Sequence, residues 1–240
     1  VEPPEEAAFD RSRWLDPLQR GSLVHEILCE FMAEAARAGD TVSSARHGEA
    51  MARIAAGLVA RTRERIPPPS EAVFESERRD LLETLEIFLA AEEKREDKGR
   101  PFAFEKEIRR EEIGLGGGRS FRLNGFIDRV DELGRDLYRI IDYKTGSPAP
   151  YEDLVEFGRG RTLQPALYAV CLEQVLARER PGTAPRVAAS GYLFPSRRGE
   201  GHEIMLRSFD RDRLRRLLTD LLGLIEKGLF IAGPEAKCEF

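Results

Sequence analysis

The chain has 240 residues, 41% of them hydrophobic and 34% charged, which is enough to bury a substantial core and too apolar for a disordered polymer. A net charge of −5 excludes a sequence-wide polycation for nucleic acid but leaves room for a local basic groove. No run is long and apolar enough to span a bilayer, no signal-peptide pattern opens the chain, and three scattered cysteines make no disulfide framework, so a reducing cytoplasm is expected.

The elements follow in chain order. Val1 to Asp16 is rich in Pro and Glu, begins without Met and reads as the edge of an excised fragment, with Trp14-Leu15-Asp16-Pro17 placed to cap the first helix. Helical spacing of Leu23, Val24, Ile27, Leu28, Phe31 and Met32 predicts a helix over roughly Pro17 to Ala38, ended by Gly39-Asp40. His25 lies off the centre of that apolar stripe, and Cys29 lies on it as a core residue. A second helix is predicted over Ser43 to Ile66, with Met51, Ile54, Ala55, Leu58 and Val59 inward, stopped by Pro67-Pro68-Pro69. A third, over Ser70 to Asp97, carries Phe74, Leu81, Leu85, Phe88 and Leu89. The second and third carry no recognisable chemistry and read as a cover for one side of the core.

Arg100 to Ile113 is expected as a strand, with Glu105 and Glu107 between apolar positions. The glycines from Gly114 to Gly118 turn the chain; without a following helix or a Lys-Ser/Thr they are no phosphate loop. Two further strands follow, Phe121 to Val130 and Leu137 to Lys144, joined by Glu132-Leu133-Gly134-Arg135-Asp136 as a hairpin. Asp128 and Asp142 are placed late on these neighbouring strands or just past their ends, with Lys144 on the same face as Asp142. Two carboxylates and a lysine converging on one volume suit a hard divalent cation and a phosphate; the plainer reading pairs them with Arg129 and Lys144. Tyr151 to Phe157 is read as a short helical turn and Thr162 to Arg180 as a helix placing Gln164 and Tyr168 on one face. Arg186 to Pro195 and His202 to Ser208 read as paired strands, and Asp210 to Lys227 as an amphipathic helix with Leu214, Leu217, Leu218, Leu221, Leu222 and Ile225 inward, capped by Gly228. His47 and His202 belong to no motif.

Four stretches share an order with a known family. Gly21 to His25, Gly125-Phe126-Ile127-Asp128-Arg129-Val130-Asp131, Ile141-Asp142-Tyr143-Lys144-Thr145-Gly146 and Gln164-Pro165-Ala166-Leu167-Tyr168 together resemble the RecB-like branch of the PD-(D/E)XK nucleases, above all the C-terminal nuclease domain of AddB-type helicase–nuclease subunits. The resemblance runs from about Gly21 to the C-terminus. It implies an α/β fold with a restriction-endonuclease-like core, a mixed central sheet flanked by helices, and an N-terminal helical elaboration. One nuclease domain over residues 1–240 is expected, mainly helical over 17–98 and catalytic over 100–240.

The same resemblance implies roles. His25, Asp128, Asp142 and the Tyr143 backbone carbonyl would bind one or two Mg2+ or Mn2+ ions, and Lys144 would orient the attacking water. Glu105, with Glu107 as second choice, Gln164 and Tyr168 would support the site. Arg159 and Arg161 are candidates for phosphate contacts, and Tyr143, Tyr168 and Phe157 for stacking on bases. Cys238, after Gly228-Leu229-Phe230 and Pro234, resembles the first of the family's C-terminal iron–sulfur cysteines; the matched ligand set is incomplete, so no cluster is expected here, although a longer chain could hold one. The implied activity is that of a bacterial, cytoplasmic DNA exonuclease acting on a single-stranded end supplied by a helicase domain or subunit, in double-strand-break repair and recombination. Two alternatives stay open: a catalytically silent DNA-binding scaffold, and a stand-alone or CRISPR-adaptation-type exonuclease of the same fold.

Overall fold

The structure is a computed structural model that describes residues 11–152, 157 and 162–229. Three helices come first: α1 (Pro17–Ala38), α2 (Ser44–Arg65) and α3 (Glu71–Lys94). Strands β1 (Arg100–Gly116), β2 (Arg119–Gly134) and β3 (Leu137–Tyr143) follow, then a 3-10 turn (Ala149–Tyr151), α4 (Gln164–Glu179), β4 (Arg186–Phe194), β5 (His202–Leu206) and α5 (Arg211–Glu226). The expected helices and the five strands are all present within a few residues of their expected ends; of the helical turn expected over Tyr151 to Phe157, residues 153–156 lie outside the described ones.

Local chemistry explains the helix ends. Asp16 caps α1 by accepting the Gln19 N–H while Gln19 reaches back to the Asp16 N–H, and Pro17 needs no amide partner at the first helical position. Gly39 closes the helix with φ 71°, a conformation that disfavours side chains with a Cβ. Trp14 takes no part in the cap: it is buried against Phe74 and donates its indole N–H to the Ile66 carbonyl at 2.6 Å.

The sheet runs in sequence order, β1-β2-β3-β4-β5, with only the β3–β4 pair parallel. That parallel step needs a crossover, and α4 supplies it. Buried apolar residues form two clusters. One gathers α1, α2 and α3 over Ile141, Tyr143 and Leu193; the other gathers α4 and α5 with Val130, Tyr138, Ile140, Tyr192 and Phe194. The sheet is thus a shared middle layer of an α/β fold, the class expected from the sequence.

Two departures matter. The β1–β2 ladder extends to Gly116 opposite Arg119, so the expected glycine turn tightens to Gly117 and Gly118, both at positive φ. The β2–β3 ladder covers only Arg129 to Gly134 of β2, leaving the earlier half of β2 and its partner stretch of β1 as an arm that runs past β3. α5 lies over this arm but buries only Leu214 and Leu218; Leu217 and Leu222 are partly buried and Ile225 is exposed, while Glu226 at its end pairs with Arg119 at the start of β2.

Candidate active site

Register brings the site together. Arg129 faces Ile141 in the last pair of the β2–β3 ladder, so Asp128 and Asp142 are level one step further on. Asp128 therefore sits in the middle of β2, not at its end as the sequence pattern suggests; only Asp142 is late on its strand. Beyond that last pair Asp128 replaces a ladder carbonyl, its Oδ2 accepting the Tyr143 N–H at 2.7 Å. On the other side, Phe104 faces Arg129 and Lys106 faces Ile127, which sets Glu105 level with Asp128. Glu105 adopts φ 45°, a conformation that costs a strand residue free energy and is a mark of functional positions.

α1 supplies the fourth group. Its buried Val24, Ile27 and Leu28 anchor the helix and leave His25 at the edge of the packed face. His25 Nε2 lies 2.8 Å from the Tyr143 carbonyl oxygen, to which it donates, and Nδ1 lies 3.5 Å from Asp128 Oδ2. One ligand atom each from His25, Glu105 and Asp128 fall within 4.8 Å of one another.

Asp142 is held separately. Its Oδ1 accepts the Gln164 side-chain N–H at 3.0 Å, and its Oδ2 pairs with the Lys144 ammonium without a well-aligned hydrogen bond. Lys144 lies 5.3 Å above the Tyr192 ring, and the Tyr192 hydroxyl donates to Gln164 Oε1 at 3.4 Å. Tyr192 faces Asp142 across the parallel β3–β4 pair. Tyr168, one turn beyond Gln164, packs over Gly125, where an added Cβ would come within 2.7 Å of its hydroxyl. The glycine is what lets the ring approach β2 so closely.

The electrostatics are those of crowded negative charge. Burial, then the facing Asp128, push the Asp142 carboxyl up to about 6 against the pull of Lys144. Burial and Asp128 likewise raise Glu105. Burial alone would lower His25, but Asp128, the Tyr143 carbonyl and Asp142 hold it above its ordinary value. Lys144, which burial would also lower, is raised by Asp142 and Asp128. Three crowded carboxyl groups, an imidazole and a backbone carbonyl at one spot are a donor set that fits a hard divalent cation.

Several sequence-based expectations need correction. Arg129 does not pair with Asp128; it turns to Asp131 at 2.7 Å and Glu92 at 2.9 Å. Lys144 does pair with Asp142. The Tyr143 ring is buried against Phe88 and His25, Phe157 is buried near Phe209, and Tyr168 is 8% exposed, so none offers an open ring to a base. Cys29 is only half-buried, one turn from His25, where burial and the nearby Glu105 charge raise its thiol pKa. Glu107 is exposed and stands outside the cluster formed by His25, Glu105 and Asp128. Arg159, Arg161 and Cys238 lie outside the described residues. Tyr192 carries no signal in the sequence, since only the β3–β4 register brings it to Asp142.

Comparison with known proteins gives this geometry a family. The curated relatives of Clostridium perfringens are B-type subunits of an ATP-dependent helicase/deoxyribonuclease; the chain is 46% identical over 70 residues to that of strain 13 and 44% identical over 70 residues to that of strain SM101. Each match covers 28% of this chain and 6% of the relative, so the matched stretch is a small part of a much longer protein. The PD-(D/E)XK nuclease superfamily profile matches residues 4–240, and the chain therefore belongs to the PD-(D/E)XK nuclease superfamily.

Proposed function

We propose that the chain hydrolyses phosphodiester bonds in DNA with Mg2+ or Mn2+, as the exonuclease domain of a helicase–nuclease that processes broken DNA ends. The observation that carries this is the convergence of His25, Glu105 and Asp128 within 4.8 Å, beside the Asp142–Lys144 pair. His25, Asp128, Asp142 and the Tyr143 carbonyl would hold the ion, with Glu105 as a further carboxylate. Such a cation supplies Lewis acidity toward a phosphate oxygen and acidifies water.

The chain's own residues account for the rest. The Tyr143 N–H fixes Asp128, and Gln164 fixes Asp142, so both carboxylates are preorganised before substrate arrives. Lys144 stays protonated beside Asp142 and directs an N–H toward the attacking water and the charge that develops on the phosphoryl oxygens. Tyr192 holds Gln164 in place, and Tyr168 packs on β2 at Gly125. The names of the relatives support DNA as substrate and a helicase, in the same chain or as a partner protein, as the source of a single-stranded end. In a longer chain Cys238 would contribute to an iron–sulfur cluster. No described helix is long and apolar enough to cross a membrane.

The test is cleavage of end-labelled single- and double-stranded DNA with Mg2+, Mn2+ or EDTA, by the wild type and by Asp142→Ala. Metal-dependent cleavage lost in the variant is the expected result. No cleavage together with no Mn2+ binding would sink the enzymatic reading and favour a scaffold.

A further inference from the structure

The arm formed by β1 and β2 has one face packed under α4 and α5 and one face open. Ile108, Ile113 and Leu115 of β1 are buried on the packed face. Along the first half of β2 burial alternates, and Ser120, Arg122, Asn124 and Phe126 are the exposed positions. This open row leads directly to Asp128, two residues after Phe126. Phe126 is 55% exposed, and among the described residues it is the aromatic side chain left open to solvent to that degree. The three aromatic residues that the sequence suggests for stacking are buried, and the one the structure opens is not among them.

The open face also carries three exposed arginines, alongside the exposed Glu107 that faces Phe126 and Glu112 that faces Arg122. A bulge between Ile108 and Glu111 sets Arg109 and Arg110 against Asn124 alone, and both arginines are exposed. Arg110 is held there at φ 49°, its N–H donated to Asn124 Oδ1 at 2.9 Å. Bulges of this kind re-aim side chains beside functional sites. Among the described residues the guanidinium groups of Arg109, Arg110 and Arg122 have no ion-pair partner, whereas Arg53, Arg63, Arg78, Arg197 and Arg211 elsewhere on the surface are each paired with a glutamate. Glu112, across from Arg122, takes the Ser120 hydroxyl instead.

We propose that this face is the track for a single-stranded DNA segment next to the scissile phosphate, with Phe126 stacking on an unpaired base and Arg109, Arg110 and Arg122 meeting the successive phosphates beyond it. The inference rests on the nuclease reading above and adds the substrate's path to it. Successive outward positions on a strand are about 6.7 Å apart, comparable with the spacing of phosphates in an extended single strand. Within a duplex the faces of the bases are covered by their neighbours, so an exposed ring stacks most readily on the splayed bases of a single strand. Stacking is indifferent to base identity, so the track is sequence-tolerant.

The experiment is fluorescence anisotropy of a labelled oligothymidylate with the chain, Ca2+ replacing Mg2+, alongside a cleavage assay in Mg2+ and Mn2+. Phe126→Ala should weaken binding by roughly tenfold or more, Phe126→Tyr should restore it, and Phe126→Leu, apolar but without a ring, should not. Arg109→Ala/Arg110→Ala should flatten the plot of log affinity against log salt by about 1.4, the share of two lost phosphate contacts. Leu18→Ala, an exposed apolar change elsewhere, should leave affinity unchanged. Wild-type affinity and salt slope in the Phe126 and arginine variants, with cleavage intact, would overturn the track and leave the nuclease reading standing. Binding that depends on Phe126, with no cleavage under either metal and no Mn2+ binding, would sustain the track and sink the nuclease reading. No binding by the wild type would overturn the track.

Discussion

Asp128 and Asp131 lie three residues apart on β2, both buried, in surroundings of opposite kind. Around Asp131 the charges close on themselves. Arg129 and Arg139 each give it a hydrogen bond, Arg129 also pairs with Glu92, and Arg95 joins Glu92 to Glu203. Burial would raise the Asp131 carboxyl, but the two guanidinium groups hold it below its ordinary value. Around Asp128 the neighbours are Glu105, Asp142 and a histidine, and the charge is left unbalanced: Asp142 and Glu105 are both raised. A closed network fixes where the strands and α3 sit. An open one is costly, and under the proposed function a cation would relieve that cost.

The largest expected effect comes from removing a carboxylate on the open side. Asp128→Asn keeps the shape and removes the charge, so hydrolysis should fall below about one thousandth of wild type while the fold persists. Measuring turnover with the thermal midpoint in EDTA checks both halves. A comparable loss of stability would mean that Asp128 belongs to the structural network after all.

The closed side should respond in the reverse way. Asp131→Ala leaves two buried guanidinium groups without their shared partner, which should cost about 3–5 kcal/mol of stability by denaturant unfolding. Its pH dependence has a definite sign. A carboxyl with a lowered folded pKa stabilises at any pH above its unfolded value and loses that contribution as pH falls through the folded one. Acid unfolding of the wild type should therefore begin below about pH 4 from this group. Asp142 works in the other direction. Its carboxyl is pushed up to about 6, so in EDTA its stabilising contribution is complete below about pH 4 and is lost as pH rises through 6. Between those limits the metal-free chain should lose up to about 3 kcal/mol. Asp142→Asn should flatten the profile, and Mn2+ should restore stability at pH 7 in the wild type alone.

The difference between these regions also marks what is legible in the sequence. Helical spacing locates α1 with its buried Leu23 to Met32 face, and the paired hydrophobic runs locate β2 and β3, because both patterns are local. His25, Asp128, Asp142, Lys144 and Gln164 can be picked out because their motifs are short, and the fold does bring them together. What the sequence hides is long-range or irregular. Alternation tells the face of a strand residue only while the ladder is regular, and β1 breaks at Ile108/Glu111 while β2 leaves β3 at Arg129. The place of Asp128 along its strand and the openness of Phe126 are therefore out of reach of the pattern. Tyr143 reads as a ring available for stacking, although its period-2 neighbour Ile141 packs into the same helical core. Glu92 gives no signal at all, since a charge near a helix end looks solvated until the sheet beneath it is known.

The smallest effect worth measuring tests whether the open side is preorganised. Gln164 makes no contact that only chemistry would require: it donates to Asp142 Oδ1 and accepts from the Tyr192 hydroxyl. Gln164→Leu removes both bonds at similar volume, and metal affinity should fall roughly 10- to 100-fold, the usual result of losing a group that orients a ligand. Gln164→Glu has a different signature. It adds negative charge beside an Asp142 already held partly protonated, so the chain in EDTA should be less stable than Gln164→Leu, while a divalent cation would offset the added repulsion. The gap between thermal midpoints in EDTA and in saturating Mn2+ should then be wider for Gln164→Glu than for Gln164→Leu. Equal gaps would mean that the charge at Asp142 is already balanced by Lys144 alone, and that the cation interacts with His25, Glu105 and Asp128 without involving Asp142.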